Sequence, residues 1–205
     1  MASLQPLFED IYSRGLWGAG QEKYYSGAGS RTPEIVETYA RDLGRFIRRF
    51  FPDQKPDALD LGCGDFNIGR HIRPFFNSYS AVDIARPVIV HNRRNFAHLD
   101  VDFHHGDITD PHFMGQLDQG VDVIICRQVL QHLSNDDVER ALANSAKLAT
   151  LFVFSETVIR NPDFPANIDI PAGRTTRYEV GSALDLEQPP FNLSFTKKVG
   201  ISRIA

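Results

Sequence analysis

The sequence predicts an α/β fold in which a mainly parallel, seven-stranded sheet carries helices on both faces and ends in an antiparallel hairpin. Three observations favour this fold class. Short apolar runs alternate with segments of helical periodicity between residues 58 and 155. Two of these runs, VDVIIC at 121–126 and TLFVFS at 150–155, are typical of strands buried on both faces. The chain length of 205 residues suits one domain with a substantial core.

The N-terminal part contains the first predicted helix. Residues 1–31 are rich in glycine, serine and aromatic side chains, and we expect them to be irregular. Thr32 suits the N-cap of the following helix and Pro33 its first position. Apolar residues then recur at helical spacing as far as Phe50, and Pro52 ends the helix.

Strands and helices alternate through the middle of the chain. The capping residue Ser134 and the acidic first turn at 136–137 mark the start of the last helix, since negative charge there suits the helix dipole. Because crossovers between parallel strands are right-handed, the strands are expected to end at one edge of the sheet. The predicted strands are 58–61, 79–84, 101–105, 121–126 and 150–155, and the predicted helices are 66–73, 86–97 and 135–149.

The alternation stops after Glu156. Residues 157–190 carry several prolines and many polar residues, and a segment of this length is expected to be functional or partly structured. Residues 191–196 and 199–204 are predicted to pair as the final antiparallel hairpin.

Charge and composition limit the possible partners. The formal net charge is −4, whereas binding of duplex nucleic acid requires a basic face. Cys63 and Cys126 lie in or beside apolar runs, which favours free thiols in a reducing compartment. The first ten residues do not resemble a signal peptide, and no window approaches the roughly 20 apolar residues of a membrane span. We therefore expect a cytoplasmic protein that binds neither a membrane nor duplex nucleic acid. The basic residues occur as isolated pairs: Arg48-Arg49, Arg93-Arg94 and Lys197-Lys198.

The segment DLGCGDFNIG at 60–69 indicates a ligand site. Gly62 and Gly64 follow the first predicted strand, where glycine lets the backbone turn sharply and approach a ligand. Asn67 occupies the position of the third glycine in the dinucleotide-binding motif. A nicotinamide-dependent oxidoreductase is therefore the weaker alternative, and Asp60 suits the amino end of an amino-acid-like cofactor.

Two more carboxylates follow the next two predicted strands. Asp83 ends the second strand, where a carboxylate can accept hydrogen bonds from both hydroxyls of a ribose. Asp107 follows the third strand, where it can accept from an adenine amino group while Ile108 covers the ring. Each acid alone is equally typical of a surface turn. Together with Asp60, they are expected to converge on the crevice at the carboxyl ends of the parallel strands.

On these residues the chain resembles the class I S-adenosylmethionine (SAM)-dependent methyltransferases, over roughly residues 55–156. The resemblance implies a Rossmann-like fold, a glycine turn that cradles the methionine part of SAM, and S-adenosylhomocysteine (SAH) as the product. The segment RQVLQHL at 127–133 resembles the active-site wall of the family. The cofactor-binding residues that these two segments and the strand ends imply are Asp60, Gly62, Cys63, Gly64, Asp83, Ile84, Asp107, Ile108, Arg127 and Gln128.

The N-terminal sequence SGAGS at 26–30 resembles the lid of a small bacterial subgroup of this family, in which it folds over the cofactor. The sequences NIDI at 167–170 and PPF at 189–191 resemble the same subgroup. The alternative interpretation of the N-terminal segment is a flexible leader. The lid adds four implied cofactor-binding residues: Trp17, Ser26, Gly27 and Ser30.

The resemblance suggests one methyltransferase domain in three parts. Residues 1–52 would form the lid and first helix, 55–156 the SAM-binding core, and 157–205 the acceptor-side loop and final strands. RNA-terminal ribose methyltransferases of the small-RNA type bind a metal through glutamates in the wall segment. Here those positions are Gln128 and Gln131, and neutral amides are poor ligands for a hard cation, so we expect no metal.

The expected reaction is transfer of a methyl group from SAM to a small-molecule acceptor, at a hydroxyl, by a monomer or homodimer. A general base would assist, and the candidates are His132, which is otherwise interpreted as a packing residue, and Glu156. A catalytically idle SAM-binding or partner-binding domain is the other alternative. Candidate acceptor-contacting side chains are the aromatics Tyr12, Trp17, Tyr24 and Tyr25, and the cations Arg127, Arg174 and Arg177.

Overall fold

The structure, a computed structural model, describes residues 3–18, 23–117, 120–157 and 163–194. It is a Rossmann-like α/β fold, built around a wholly parallel sheet with the strand order β3-β2-β1-β4-β5. The order reverses between β1 and β4, and a crevice at the carboxyl ends of these two strands is where such sheets bind ligands. The strands are β1 (Ala58–Leu61), β2 (Tyr79–Asp83), β3 (Asp102–His105), β4 (Val121–Arg127) and β5 (Ala149–Ser155).

Helices pack against both faces of the sheet. Five short 3₁₀ turns lie between the regular elements of the described residues. The helices are α1 (Gln5–Ser13), α2 (Pro33–Phe50), α3 (Gly69–Ile72), α4 (Arg86–Asn95), α5 (Pro111–Met114) and α6 (Asn135–Ser145). The 3₁₀ turns are Ala28–Ser30, Arg73–Phe75, Ala97–Leu99, Leu130–His132 and Arg177–Val180.

Alternation of side chains along the strands produces two apolar layers. On one face, Ala58 of β1 and Val123 of β4 belong to the same core cluster as Leu43 of α2. On the other face, Leu59 of β1 packs in a cluster with Val138 of α6. All of these side chains are almost fully buried, and full burial of a leucine or valine contributes about 1.5–3 kcal/mol each. The sheet is therefore held rigidly between two helical layers, and its strand ends can position polar groups.

The prediction of seven strands and a final hairpin is wrong for the part of the chain that the structure describes, which contains five parallel strands. Residues 191–194 form no strand; instead, the amide of Leu193 donates to the carbonyl of Leu186 at 2.8 Å. The rest of the predicted hairpin, residues 195–205, lies outside the described residues, as does the pair Lys197-Lys198.

Several predicted boundaries also differ from the structure: the helix predicted at 66–73 is Gly69–Ile72, and the helix predicted at 86–97 ends at Asn95. Residues 1–31 were expected to be irregular, but α1 forms at Gln5–Ser13 because Phe8, Ile11 and Tyr12 make a short buried stripe. The helix predicted to end at 149 stops at Ser145, and β5 begins at Ala149. These elements are short, and their ends depend on tertiary packing more than on local sequence.

The segment 163–194 is ordered through a few specific contacts rather than through a regular element. Thr176 caps the turn Arg177–Val180 in a capping box with Glu179. Leu184 and Leu186 are buried in the same apolar cluster as α6. The segment is therefore packed onto the β4–β5 side of the sheet. None of the helices in the described residues has the length and hydrophobicity needed to cross a membrane.

Candidate active site

A cavity of about 290 Å³ opens at the point where the strand order reverses. The structure brings all of the predicted cofactor-binding residues together on its wall. They are Trp17, Ser26, Gly27, Ser30, Asp60, Gly62, Cys63, Gly64, Asp83, Ile84, Asp107, Ile108, Arg127 and Gln128. The cavity thus joins the glycine turn, the three acidic strand ends, the lid and the wall segment in one site.

The glycine turn after β1 needs glycine for two separate reasons. Gly62 has φ of 74° and Gly64 has φ of 54°, a region that side chains with a Cβ rarely adopt. A Cβ on Gly62 would also lie 2.4 Å from Cγ2 of Val129 in the wall segment. The turn is anchored to β2, because the amide of Gly62 donates to the carbonyl of Val82 at 2.8 Å. Glycine here therefore lets the turn and the wall approach each other closely.

Asp83 holds the glycine turn as well as facing the cavity. Its carboxylate accepts from the amide of Gly64 at 2.9 Å and from the amide of Ala85 at 2.8 Å. Burial raises the pKa of Asp83 to about 6, although these backbone hydrogen bonds oppose the rise. Sequence analysis did not foresee that the same carboxylate would fix the turn.

Asp60, at the end of β1, is a second buried carboxylate beside the first. It accepts a hydrogen bond from the hydroxyl of Tyr79 at 2.9 Å. Burial raises the pKa of Asp60 to about 7; the charge of Asp83 adds to the rise, and Arg127 opposes it. A cation bound in the cavity would favour the ionised form of both acids. This electrostatic environment fits the ammonium and sulfonium groups of SAM.

Asp107 follows β3 and also lines the cavity. Its Oδ1 accepts from the amide and the hydroxyl of Thr109, at 2.8 and 2.7 Å, and these bonds fix the orientation of the carboxylate. Ile108 is buried against the cavity, and its carbonyl accepts from Asn144 of α6 at 3.1 Å. Both residues line the cavity, and their adenine-binding role stays a prediction.

The N-terminal segment 26–31 is tied to the glycine turn by a network around Asp65, a residue that sequence analysis did not single out. The amide of Ser26 donates to the Asp65 carboxylate at 3.0 Å, and the amide of Asp65 donates to Oγ of Ser26 at 2.9 Å. Arg31 forms an ion pair with the same carboxylate at 2.9 Å. The hydroxyl of Tyr12 lies 2.9 Å from Oγ of Ser26. The position of Asp65 directly after the glycine turn was the available clue.

Arg127, at the end of β4, connects the segment 26–30 to the wall. Its Nη2 donates to the carbonyl of Gly29 at 2.9 Å, and its guanidinium lies 4.9 Å from the ring centroid of Tyr39. Burial lowers the pKa of Arg127 from its ordinary value. The next residue, Gln128, has an unusual positive φ of 53°, which directs the wall across the cavity. Arg127 is therefore engaged by the protein itself.

His132 lines the cavity, next to the aromatic ring of Trp17. The two ring centroids are 5.0 Å apart, and the indole N–H of Trp17 donates to the carbonyl of Arg174 at 3.3 Å. Nδ1 of His132 is buried and has no hydrogen-bond partner among the described residues. Burial lowers the pKa of His132 to about 4, so the imidazole is neutral at neutral pH.

Other candidates lie away from the cavity wall. Glu156 lies behind the wall, and burial raises its pKa to about 8. Arg177 is 1% exposed and donates to the carbonyl of Leu130 at 3.0 Å, so it is not available to an acceptor. Of the aromatic candidates, Tyr12 and Trp17 line the cavity, whereas Tyr24 and Tyr25 do not. The cationic candidate Arg174 is not part of the lining either. Within the described residues, no three His, Cys, Asp or Glu side chains come together as a metal site.

Comparisons with known proteins agree with this geometry. Residues 58–150, from β1 to the start of β5, match the family model of a methyltransferase domain. No curated protein matches the sequence. The matched segment contains the glycine turn, the three acidic strand ends and the wall.

Solved structures with the same fold include three that cover most of this chain. Streptomyces venezuelae DesVI is 15% identical, with a TM-score of 0.51 over 79% of this chain and 66% of that chain. The magnesium protoporphyrin IX methyltransferase ChlM from Synechocystis PCC 6803, with bound SAM, is 16% identical, with a TM-score of 0.54 over 78% of each chain. The SAH complex of DhpI is 13% identical, with a TM-score of 0.54 over 86% of this chain and 82% of that chain.

The chain spans just under two thirds of DesVI, and 57% of a SAM-dependent methyltransferase from Clostridium acetobutylicum. At these identities the likeness shows the fold. The family match covers the glycine turn, the three acidic strand ends and the wall segment of the cavity, whereas the lining residues up to Tyr39 lie outside it. Residues 58–150, just under half of the chain, thus match a methyltransferase domain, and the solved structures share the Rossmann-like fold of this chain.

Proposed function

We propose that the chain transfers a methyl group from SAM to a hydroxyl of an uncharged small-molecule acceptor without using a metal ion. The observation that carries this proposal is the convergence of Asp60, Asp83 and Asp107 with the glycine turn on one cavity. SAM supplies a methyl group that its sulfonium already activates. The protein then has to bind the nucleoside, orient the acceptor and exclude water.

The charge of the cavity supports an uncharged acceptor. Asp60, Asp65, Asp83 and Asp107 line it, and among the described residues Arg127 is the one Lys or Arg that does so. Arg127 donates to the carbonyl of Gly29, and its single positive charge is outnumbered by the four carboxyl groups of the lining. A carboxylate or phosphate on the acceptor would meet net negative potential in a site of low dielectric constant. The acceptor named for ChlM, magnesium protoporphyrin IX, supports the choice of a small molecule.

The neutral imidazole of His132 supports a hydroxyl as the acceptor group. His132 lines the cavity, and a neutral imidazole there can accept a hydrogen bond from a hydroxyl and so orient the oxygen lone pair. A pKa of about 4 makes His132 a weak base, so its main contribution is to orient the acceptor hydroxyl rather than to remove its proton. Gln128 and Gln131 on the same wall carry neutral amides, which supports the metal-independent reaction.

The proposal includes the organisation of the chain. Residues 26–30 act as the SGxGS-type lid of the bacterial subgroup, supported by their bonds to Asp65 and Arg127. Residues 1–52, 55–156 and 157–205 serve as the lid and first helix, the SAM-binding core and the acceptor side of one domain. The protein works in the cytoplasm as a monomer or homodimer.

Calorimetric titration with SAM, SAH and NAD, followed by a radiolabelled-methyl assay, tests the proposal. We expect binding of SAM and SAH but not NAD, and labelling of alcohols or phenols in preference to their carboxylated analogues, with no loss in EDTA. Binding of SAM without labelling of any acceptor pool would favour the idle SAM-binding domain. Binding of NAD in place of SAM would favour an oxidoreductase and refute the assignment.

A further inference from the structure

The peptide groups of Leu130 are gripped from both sides by two buried side chains that do not line the cavity. Oε1 of Glu156 accepts from the amide of Leu130 at 3.0 Å. Nη1 of Arg177 donates to the carbonyl of Leu130 at 3.0 Å, and its Nη2 donates to Oδ1 of Asn135 at 2.7 Å. Arg177 is 1% exposed. Both side chains thus bond the backbone of one short loop, and Arg177 also bonds Asn135, the first residue of the helix that follows this loop.

The gripped loop is the wall of the cavity. Val129 precedes Leu130 and packs against the glycine turn, where it leaves no space for a Cβ on Gly62. His132 follows, and its carbonyl accepts from the amide of Gly173 at 2.9 Å. The segment 173–177 therefore meets the wall at two points, Leu130 and His132, while Leu130 itself points away from the cavity into the core.

Burial of the carboxyl group of Glu156 and the guanidinium of Arg177 has an unfavourable desolvation free energy. Burial raises the pKa of Glu156 to about 8, so near neutral pH it is largely a neutral acid. Oε2 of Glu156 and Nε of Arg177 are buried without hydrogen-bond partners in the described part of the chain. Desolvation of a guanidinium with incomplete pairing is unfavourable. Because both groups bond the same peptide despite this cost, we infer that their role is to fix the conformation of this loop.

We propose that Glu156 and Arg177 are positioning residues that clamp the Leu130 peptide, and that this clamp holds Val129 against the glycine turn and His132 in the cavity. The effect of the clamp on methyl transfer rests on the proposed function, because it acts through His132. The clamp itself is testable without any acceptor. It also gives segment 163–194 a role, since that segment supplies Arg177.

Trp17 provides a direct probe of the wall. It is the one tryptophan in the chain, and its ring lies 5.0 Å from that of His132. The experiment measures acrylamide quenching of Trp17 emission, together with the SAM dissociation constant by calorimetry, at pH 7.5. The variants are Arg177→Met, Arg177→Lys, Glu156→Leu and Glu156→Gln. Arg174→Met is the matched control, since the side chain of this arginine is half-exposed and pairs with Glu179 at 4.0 Å, and the variant keeps the backbone carbonyl that accepts from Trp17.

We expect Arg177→Met and Glu156→Leu to raise the quenching constant at least twofold and to weaken SAM binding at least fivefold. Arg177→Lys should be intermediate because it keeps one donor, and the Arg174 control should match the native protein. Glu156→Gln keeps an acceptor for the Leu130 amide, so its quenching constant should stay native. Native quenching and native SAM affinity in folded Arg177→Met would overturn the clamp.

Two further outcomes separate the clamp from its alternatives. If Glu156→Gln loses methyl transfer while quenching and SAM affinity stay native, Glu156 is a proton acceptor and the positioning role is refuted. If Arg177→Met does not fold, Asn135→Ala removes one of the two bonds of Arg177 and should still raise the quenching constant; a native value would refute the clamp. Altered quenching without methylation of any acceptor would support the clamp and refute the proposed function.

Discussion

Replacement of Asp83 by alanine is the most informative test of the cofactor site. Asp83 has two tasks in the structure, because it accepts the amides of Gly64 and Ala85 and also faces the cavity. The variant therefore changes both the stability of the free protein and its affinity for SAM. The two effects have different sizes, and the structure allows each to be estimated.

The effects on stability partly cancel. Two buried amides lose their acceptor, which costs about 1–3 kcal/mol each. Against this, the rise in pKa from 3.8 to about 6 means that ionising Asp83 in the folded protein costs about 3 kcal/mol at pH 8, and alanine removes that cost. We expect the unfolding free energy to change by less than about 3 kcal/mol. Loss of charge-assisted bonds to two ribose hydroxyls, about 1.5–3 kcal/mol each, should weaken SAM binding more than tenfold.

The measurement is calorimetric titration of Asp83→Ala with SAM and SAH at pH 8, with urea unfolding of the same samples. The affinities for SAM and SAH should fall to the same extent, because both ligands contain the ribose. The exposed acid Asp102, at the start of β3, provides the matched control, and Asp102→Ala should bind both ligands as the native protein does. A folded Asp83→Ala protein with unchanged affinity would remove the ribose role and with it the geometric basis of the site.

Three other predictions concern the turn, the lid and pH. Because burial raises the pKa of Asp60 from 3.8 to about 7, the folded protein keeps a proton that the unfolded chain releases, and the unfolding free energy should fall as pH rises from about 4 to 7. The affinity for SAM, measured by calorimetry, should instead rise by up to about tenfold per pH unit until pH 7 and then level off. A flat affinity between pH 5 and 8 would contradict this. Gly62→Ala should weaken SAM binding at least tenfold because its Cβ meets Val129, and adding Val129→Ala should recover part of the loss; a double variant no better than the single one would rule out that contact as the cause. Arg31→Met removes the ion pair of the lid with Asp65 and should raise the SAM dissociation rate severalfold in stopped-flow measurements, so an unchanged rate would show that the pair does not hold the lid closed.

The elements that sequence analysis located best are those whose ends are set locally. Helix α2 begins at Pro33 and ends at Phe50 as predicted, because a proline marks each end. The acids at 60, 83 and 107 could be placed on one cavity because parallel strands all end at the same edge of the sheet. Helix α1 was missed, since nine residues with a short apolar stripe, followed by a glycine-rich stretch, do not distinguish a docked helix from a loop.

Glu156 shows why a polar residue at a strand end is not sufficient evidence of a catalytic role. It follows β5, at the same edge of the sheet as Asp83, and this placement favoured it as a general base. However, β5 lies beyond β4, and the wall that follows β4 crosses in front of it. The carboxyl group accepts a hydrogen bond from the backbone amide of Leu130, 26 residues away. A sequence pattern does not reveal such a partner, because it is a backbone group. A polar residue at a strand end faces the ligand only when no other segment lies between that strand end and the cavity. The proposed clamp by Glu156 and Arg177 therefore became visible only once the path of the wall was known.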